Sequence, residues 1–485
     1  MTLPEKTARG VFWSGISQWG RLGLTLLTTI VLVRLLPPES FGLLAMCTVF
    51  TGFFASVGDL GLGSALVQAE APSADDLNSA FWVSAGIGVC ACLLFVAIAP
   101  LIAAFYRVGE LAPVLRWLST GLAASSLGVV HQAVLTRAMD FRKIAIVELT
   151  GSALGGTLGI AAAVSGAGVY SLVIQSVAGA VCVMTGYWVA ASWRPDARFA
   201  GFRRGGLVRY GTHLVGFNAV NYVARNADYL LVGKFLGAEQ LGYYSLAYRL
   251  MMFPLQNISS VLGRVLLPAF SAIQRDDARM RDAFMRLSRY VALVTFPLML
   301  GVLVTARELV VVVFGVQWQP AVPVVQILAC VGLLQSIGTN TGTLFMAKGR
   351  TDLLFRWGLC ATAVIVTGIA LGLARGIVGV AIGYAIAYLL LFGPGIAIPL
   401  RLVGGRLNEV LGGLLPVLAV SGAAAACVFG WRLVGIDMLA LPRVLQLAVS
   451  GTLMAGVYVA LVSKFMRGTL AEVRGMFMST MTASR

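Results

Sequence analysis

Residues Val11–Leu36 read VFWSGISQWGRLGLTLLTTIVLVRLL, an apolar run long enough to cross a bilayer with one polar seam along it. Ser14, Gln18, Arg21, Thr25 and Thr28 are spaced four, three, four and three, which puts them on a single narrow stripe of an α-helix. A guanidinium facing lipid near mid-helix costs about 2.5–3.5 kcal/mol on insertion scales, so the stripe must face protein or water. One other stretch answers it. Moving up by 200 residues carries Gln18, Arg21, Thr25 and Thr28 onto Asn218, Asn221, Arg225 and Asp228, all polar and all on one face of a second spanning segment.

The repeat continues without gaps. Arg34-Leu-Leu-Pro-Pro-Glu-Ser-Phe-Gly42 matches Lys234-Phe-Leu-Gly-Ala-Glu-Gln-Leu-Gly242, and Phe53, Leu62, Gly63 and Leu66 meet Phe253, Leu262, Gly263 and Leu266. Six spans separate the copies, an even number, so both halves enter the membrane in the same direction as parallel repeats about an axis along the membrane normal. The basic stretch Trp193–Arg209 links them.

At 59% hydrophobic and 12% charged residues, with a mean hydropathy of +0.88, 485 residues exceed what a soluble core can bury. The expected class is all-α and polytopic. Fourteen spans begin near Val11, Phe41, Leu77, Pro113, Ile144, Gly168, Tyr210, Leu241, Tyr290, Ala321, Leu353, Ile377, Val410 and Val444. They group into an N-terminal lobe (1–200), a C-terminal lobe (201–405) and a final helix pair with its tail (406–485).

The net charge of +16 does not point to nucleic acid, because the basic residues gather in loops between spans. With the N-terminus in the cytoplasm, 24 of 36 Lys and Arg fall on that side, eight on the other and four within spans, so both termini are expected inside. The apolar run after Lys6 and Arg9 is too long for the core of a cleaved signal. Seven cysteines in apolar runs, without a C-x-x-C pair, and two distant histidines, His131 and His213, offer no metal set and imply no cofactor. Ile273, Met280, Phe284 and Leu287 recur at helical spacing among arginines, so Ser271–Arg289 is expected to form an interfacial helix on the inner leaflet.

Ionisable residues inside the spans are Arg21, Asp59, Glu148, Arg225, Asp228, Arg249 and Arg264. Such groups are expensive in a membrane and default to functional roles. Arg264 and Glu148 are expected near cytoplasmic ends, where they either snorkel or pair with Arg142 and Lys143. Asp59, in a glycine-rich stretch, suits a structural role as well as a functional one. Arg225 and Asp228, three apart, either neutralise each other or extend the stripe through Asn218 and Asn221. Arg249 has no acid on its own helical turn and, with Gln256 and Ser260, continues a polar face. Arg21, Arg225 and Arg249 converging on one cavity would form an anion site, because arginine forks match phosphate oxygens and keep their charge. Asp228, Asp59 and Glu148 are the candidates for ion coupling or cavity charge.

Several strings resemble the multidrug, oligosaccharidyl-lipid and polysaccharide exporter superfamily, and within it Wzx-type polysaccharide flippases of the colanic acid exporter kind. They are EKTARGVFWSG (Glu5–Gly15), SFGLLAM (Ser40–Met46), DLGLGSALVQ (Asp59–Gln68), TRAMDFRKIAIVE (Thr136–Glu148), NADYLLVGKFLG (Asn226–Gly237), LGYYSLAYRL (Leu241–Leu250), RVLLPAFSAIQRD (Arg264–Asp276) and FGVQWQPAVPVVQIL (Phe314–Leu328). The resemblance implies two six-helix lobes around a central cavity plus two C-terminal helices in the bacterial inner membrane. It implies alternating-access export of an undecaprenyl-diphosphate-linked oligosaccharide, beside partner polymerase and glycosyltransferases. On that basis Arg21, Arg225 and Arg249 would hold the diphosphate, and Gln18, Asn218 and Asn221 the sugar hydroxyls.

A lipid II flippase shares the expected fold. A cation or drug antiporter of the superfamily usually has twelve spans and relies on cavity carboxylates. A membrane-embedded polymerase or glycosyltransferase would need catalytic acids on a sizeable polar loop, and the sequence has none, so a transporter rather than an enzyme is expected.

Overall fold

The computed structural model describes residues 3–58, 62–68, 72–196, 222, 225–273, 275–433, 442–469 and 472. Asp59, Asn218, Asn221 and most of the inter-repeat link lie outside the described residues, as does the side chain of Arg264. Among the described residues every regular element is helical, and the chain divides into two units, Met1–Gly242 and Tyr243–Arg485.

The first unit contains α1 (Leu3–Leu35), α2 (Pro38–Gly58), the short α3 (Leu62–Gln68), α4 (Ala74–Tyr106), α5 (Leu111–Arg137), α6 (Phe141–Val164), α7 (Tyr170–Ala190) and α8 (Ala227–Leu236). Local signals set the ends. Ser73 and Asp76 form a capping box that opens α4, Arg107 closes it at φ 60°, and the Asp140 side chain caps α6 by accepting from the Lys143 N–H. Within this unit α4 packs on α5, α6 on α7, α1 on α6 and α5 on α7. The α6–α7 approach depends on small residues: a Cβ on Gly155 would stand 2.6 Å from the Gln175 carbonyl oxygen.

Helix α9 (Ala238–Ala272) begins in the first unit and continues into the second. The second unit then holds α10 (Asp277–Leu309), α11 (Val322–Gly338), α12 (Thr341–Ala347), α13 (Thr351–Gly372), α14 (Gly376–Arg401), α15 (Leu407–Trp431) and α16 (Arg443–Phe465). The expected interfacial helix is not a separate element. Helix α10 runs unbroken for 33 residues, and Met280, Phe284 and Leu287 are buried against Leu344, Leu400, Val410 and neighbours. The apolar stripe that suggested a bilayer surface is covered by protein instead.

Eleven described stretches are long and apolar enough to cross a membrane. One of them, Thr351–Arg401, is a hairpin: Gly368 lies against Gly383 and Gly372 against Gly379, an antiparallel register that returns α14 along α13. Large apolar side chains such as Leu27, Leu93, Leu101 and Leu389 are exposed on these helices, as a lipid-facing surface requires. The protein is an α-helical, multi-pass membrane protein.

Candidate functional site

The polar seam of α1 meets a carboxylate on α6. Glu148 Oε2 accepts from the Ser17 hydroxyl at 2.6 Å and faces Arg21 Nη1 at 3.3 Å. Its Oε1 accepts from the Tyr187 hydroxyl of α7 at 3.2 Å. The Glu148 side chain is 17% exposed, whereas Arg21 is 53% exposed. Gln18 is half-buried nearly one turn before Arg21.

Glu148 therefore does not pair with Arg142 or Lys143. Lys143 binds Asp140 at 3.0 Å, and the Arg142 guanidinium lies 5.6 Å from the centre of the Trp13 ring. At 3.6 residues per turn, Lys143 points about 140° and Arg142 about 120° away from Glu148 around α6. Proximity in sequence misled here, and helical phase decides. Glu148, Ser152 and Gly155 share one face, whose small residues let other helices approach. That pattern is the signal in the sequence that points Glu148 toward a helical neighbour.

Beside this cluster, within the first unit, α1, α2, α5, α6 and α7 enclose a pocket of about 590 Å³. Arg21, Thr25 and Thr28 line it from α1, Gln132 from α5, Glu148 and Ser152 from α6, and Gln175 and Tyr187 from α7. The hydroxyls of Thr28, Ser125 and Ser152 donate to carbonyls of their own helices, those of Leu24, Gly121 and Glu148. Their oxygens remain as acceptors on the pocket wall. The result is a polar, hydratable space inside the unit with one open guanidinium at its edge.

The charges expected within the spans of the second repeat sit elsewhere. Arg225 is exposed just before α8, and Asp228 is buried within it, its Oδ1 accepting from the Tyr229 N–H at 2.9 Å. Neither lines the pocket. Arg249 belongs to the second unit, exposed on α9 and without an ion-pair partner among the described residues. Next to it begins an aromatic ladder that sequence reading missed. Tyr244 stacks on Tyr248 with ring centres 6.2 Å apart, Tyr248 meets Tyr384 at 6.4 Å, and Tyr384 meets Tyr388 at 4.9 Å. Its signal is a pair of tyrosines four residues apart on each of two helices. Among the described residues no group of three or more His, Cys, Asp or Glu is arranged to hold a metal ion.

Residues 31–323 match the family described as "Polysaccharide biosynthesis protein". The chain is 29% identical over 377 residues to "Lipopolysaccharide biosynthesis protein WzxC" of Escherichia coli (strain K12), covering 76% of each protein. It is 31% identical over 370 residues to "Succinoglycan biosynthesis transport protein ExoT" of Rhizobium meliloti (strain 1021), covering 76% of this chain and 74% of that one. In three dimensions it is similar to "Lipid II flippase MurJ, inward closed conformation", with a TM-score of 0.74 at 15% identity over 95% of this chain and 100% of that one. This last likeness concerns the fold. Taken with the apolar helices, the relatives mark a multi-pass protein of the bacterial inner membrane. The family match spans more than half the chain and agrees with the resemblance carried by its motifs, and the chain belongs to the polysaccharide biosynthesis protein family.

Proposed function

We propose that this protein is a flippase, moving an undecaprenyl-diphosphate-linked oligosaccharide from the inner to the outer leaflet by alternating access. The observation that carries the reading, beyond family membership, is that Arg21, Arg225 and Arg249 are all exposed rather than sealed in protein. A guanidinium open to hydrocarbon is costly, so open arginines on membrane helices favour an aqueous, anion-accepting cavity. In this scheme the three guanidiniums hold the diphosphate, while Gln18, Asn218 and Asn221 bond sugar hydroxyls. The isoprenoid tail stays in lipid. Asp228, Asp59 and Glu148 are the carboxylates available for ion coupling.

The same reading has fourteen spans, arranged as lobes at 1–200 and 201–405 and a helix pair with its tail at 406–485, with both termini in the cytoplasm. Glycosyltransferases would supply the cargo and a polymerase would consume it. No chemical step falls to this chain. The test places purified protein in liposomes carrying an undecaprenyl-diphosphate oligosaccharide on one leaflet and follows access by an external sugar-modifying enzyme. Protein-dependent access supports the assignment. Movement of lipid II but not of this cargo would keep the fold and transfer the function to a peptidoglycan precursor.

A further inference from the structure

The three donors around Glu148 are unequal. Ser17 is close at 2.6 Å, Tyr187 donates at 3.2 Å, and the Arg21 guanidinium comes no nearer than 3.3 Å, at Nη1. A charge-assisted N–H to carboxylate bond normally measures about 2.7–2.9 Å and is often bidentate with arginine, so Arg21 is the loosest of the three partners. It is also half-exposed beside the pocket, while the carboxylate is largely covered. If Arg21 swings away, Glu148 keeps two hydroxyl donors and is not left bare. The pair is built so that the cation can leave and the anion stays.

This asymmetry solves a problem that arginine creates. A guanidinium cannot lose its proton at physiological pH, so a carrier that grips an anion with arginine cannot release it by deprotonation. A fixed carboxylate that competes for the same guanidinium provides another route. We propose that Glu148 is the internal counter-anion of Arg21: it holds the guanidinium when the site is empty, yields it to a lipid-borne phosphate, and reclaims it for release. This rests on the flippase reading and adds to it the residue that limits anion affinity. Glu148 acts through Arg21 and is a positioning residue.

The experiment measures binding of undecaprenyl diphosphate to the full-length protein in nanodiscs, beside transport rates in liposomes. The proteins are wild type, Glu148→Gln, Glu148→Asp, Arg21→Ala and the Arg21→Ala/Glu148→Gln double variant. Removing a competing partly exposed ion pair is expected to tighten binding about fivefold in Glu148→Gln. Glu148→Asp, one methylene shorter, should fall between that variant and wild type, and it serves if Glu148→Gln folds poorly. Maximal transport should drop as affinity rises, because release slows. In the Arg21→Ala background Glu148→Gln should change nothing.

Unchanged or weaker binding by both Glu148 variants overturns the proposal, as does tightening that persists without Arg21. Undecaprenol, which lacks phosphate, should not respond to Glu148→Gln, and an equal response would remove phosphate from the argument. Inorganic diphosphate bound as tightly as the lipid would assign the site to a soluble anion and overturn the lipid-borne ligand. Wild-type protein that binds none of these probes sinks the flippase reading itself. Normal wild-type binding weakened by Arg21→Ala, with no effect of either Glu148 variant, sinks only the counter-anion.

Discussion

Gly42, the fifth residue of α2, lies against the carbonyl of Ala238, and Gly242, the fifth residue of α9, lies against the carbonyl of Pro38. Gly42 and Gly242 are equivalent in the 200-residue repeat, and so are Pro38 and Ala238. The contact is reciprocal. A Cβ at either glycine would overlap a backbone carbonyl oxygen, which cannot rotate out of the way. Gly42→Ala and Gly242→Ala should therefore each cost about 1–3 kcal/mol as overpacking, and by matched amounts. Thermal unfolding of the purified variants checks both. A large loss at one glycine and none at the other would show that the repeat does not share this contact.

The Gly42 and Gly242 contacts left a mark in the sequence because a backbone crossing demands glycine, and the α1 stripe did so because a membrane helix carries polar side chains on one face only. Arg21 was legible for the same reason. Its partner Glu148 lies 127 positions away, and periodicity within one helix says nothing about which helix it meets. Met280, Phe284 and Leu287 illustrate the other limit. An apolar stripe fixes which face is buried but not whether lipid or protein buries it, and here Leu344, Leu400 and Val410 do so. The Tyr244–Tyr248–Tyr384–Tyr388 ladder was equally hidden, since it joins helices more than 100 residues apart.

His131 is fully buried on α5 and packs as an aromatic ring. It stacks on Trp188 with centres 4.6 Å apart and meets Trp193 edge-on at 5.3 Å and Phe81 at 6.0 Å. Neither ring nitrogen has a hydrogen-bond partner among the described residues. The contacts of His131 are therefore those of a packed ring. His131→Phe should keep the melting temperature and transport of wild type, while His131→Ala opens a cavity and costs about 3 kcal/mol. Loss of transport in a well-folded His131→Phe protein would show that the imidazole itself is needed.

In the second unit Arg432, just past α15, donates to the carboxylate of Glu308 and to the Val304 carbonyl on α10. The Arg432 and Glu308 side chains are 20% and 9% exposed, so the pair is largely desolvated. Breaking such a pair from one side leaves a buried charge. Arg432→Leu alone should cost about 3 kcal/mol in unfolding measurements, and adding Glu308→Leu should recover much of that loss. A double variant as unstable as the sum of its single changes would mean that the two groups are not coupled.

Arg249 differs from Arg21 in having no carboxylate beside it among the described residues, and it is exposed on α9 beside Tyr248. A guanidinium so placed contributes nothing to folding through an ion pair, so its removal should spare insertion and stability. Arg249→Ala is expected to abolish polysaccharide export in a complementation assay while immunoblotting finds normal protein in the membrane. Arg249→Lys should restore export only in part, because lysine keeps the charge and loses the planar fork that grips two phosphate oxygens together. Full export by a well-folded Arg249→Ala protein would remove this residue from cargo binding. The diphosphate would then have to be held by the charges of the first unit, Arg21 and Arg225.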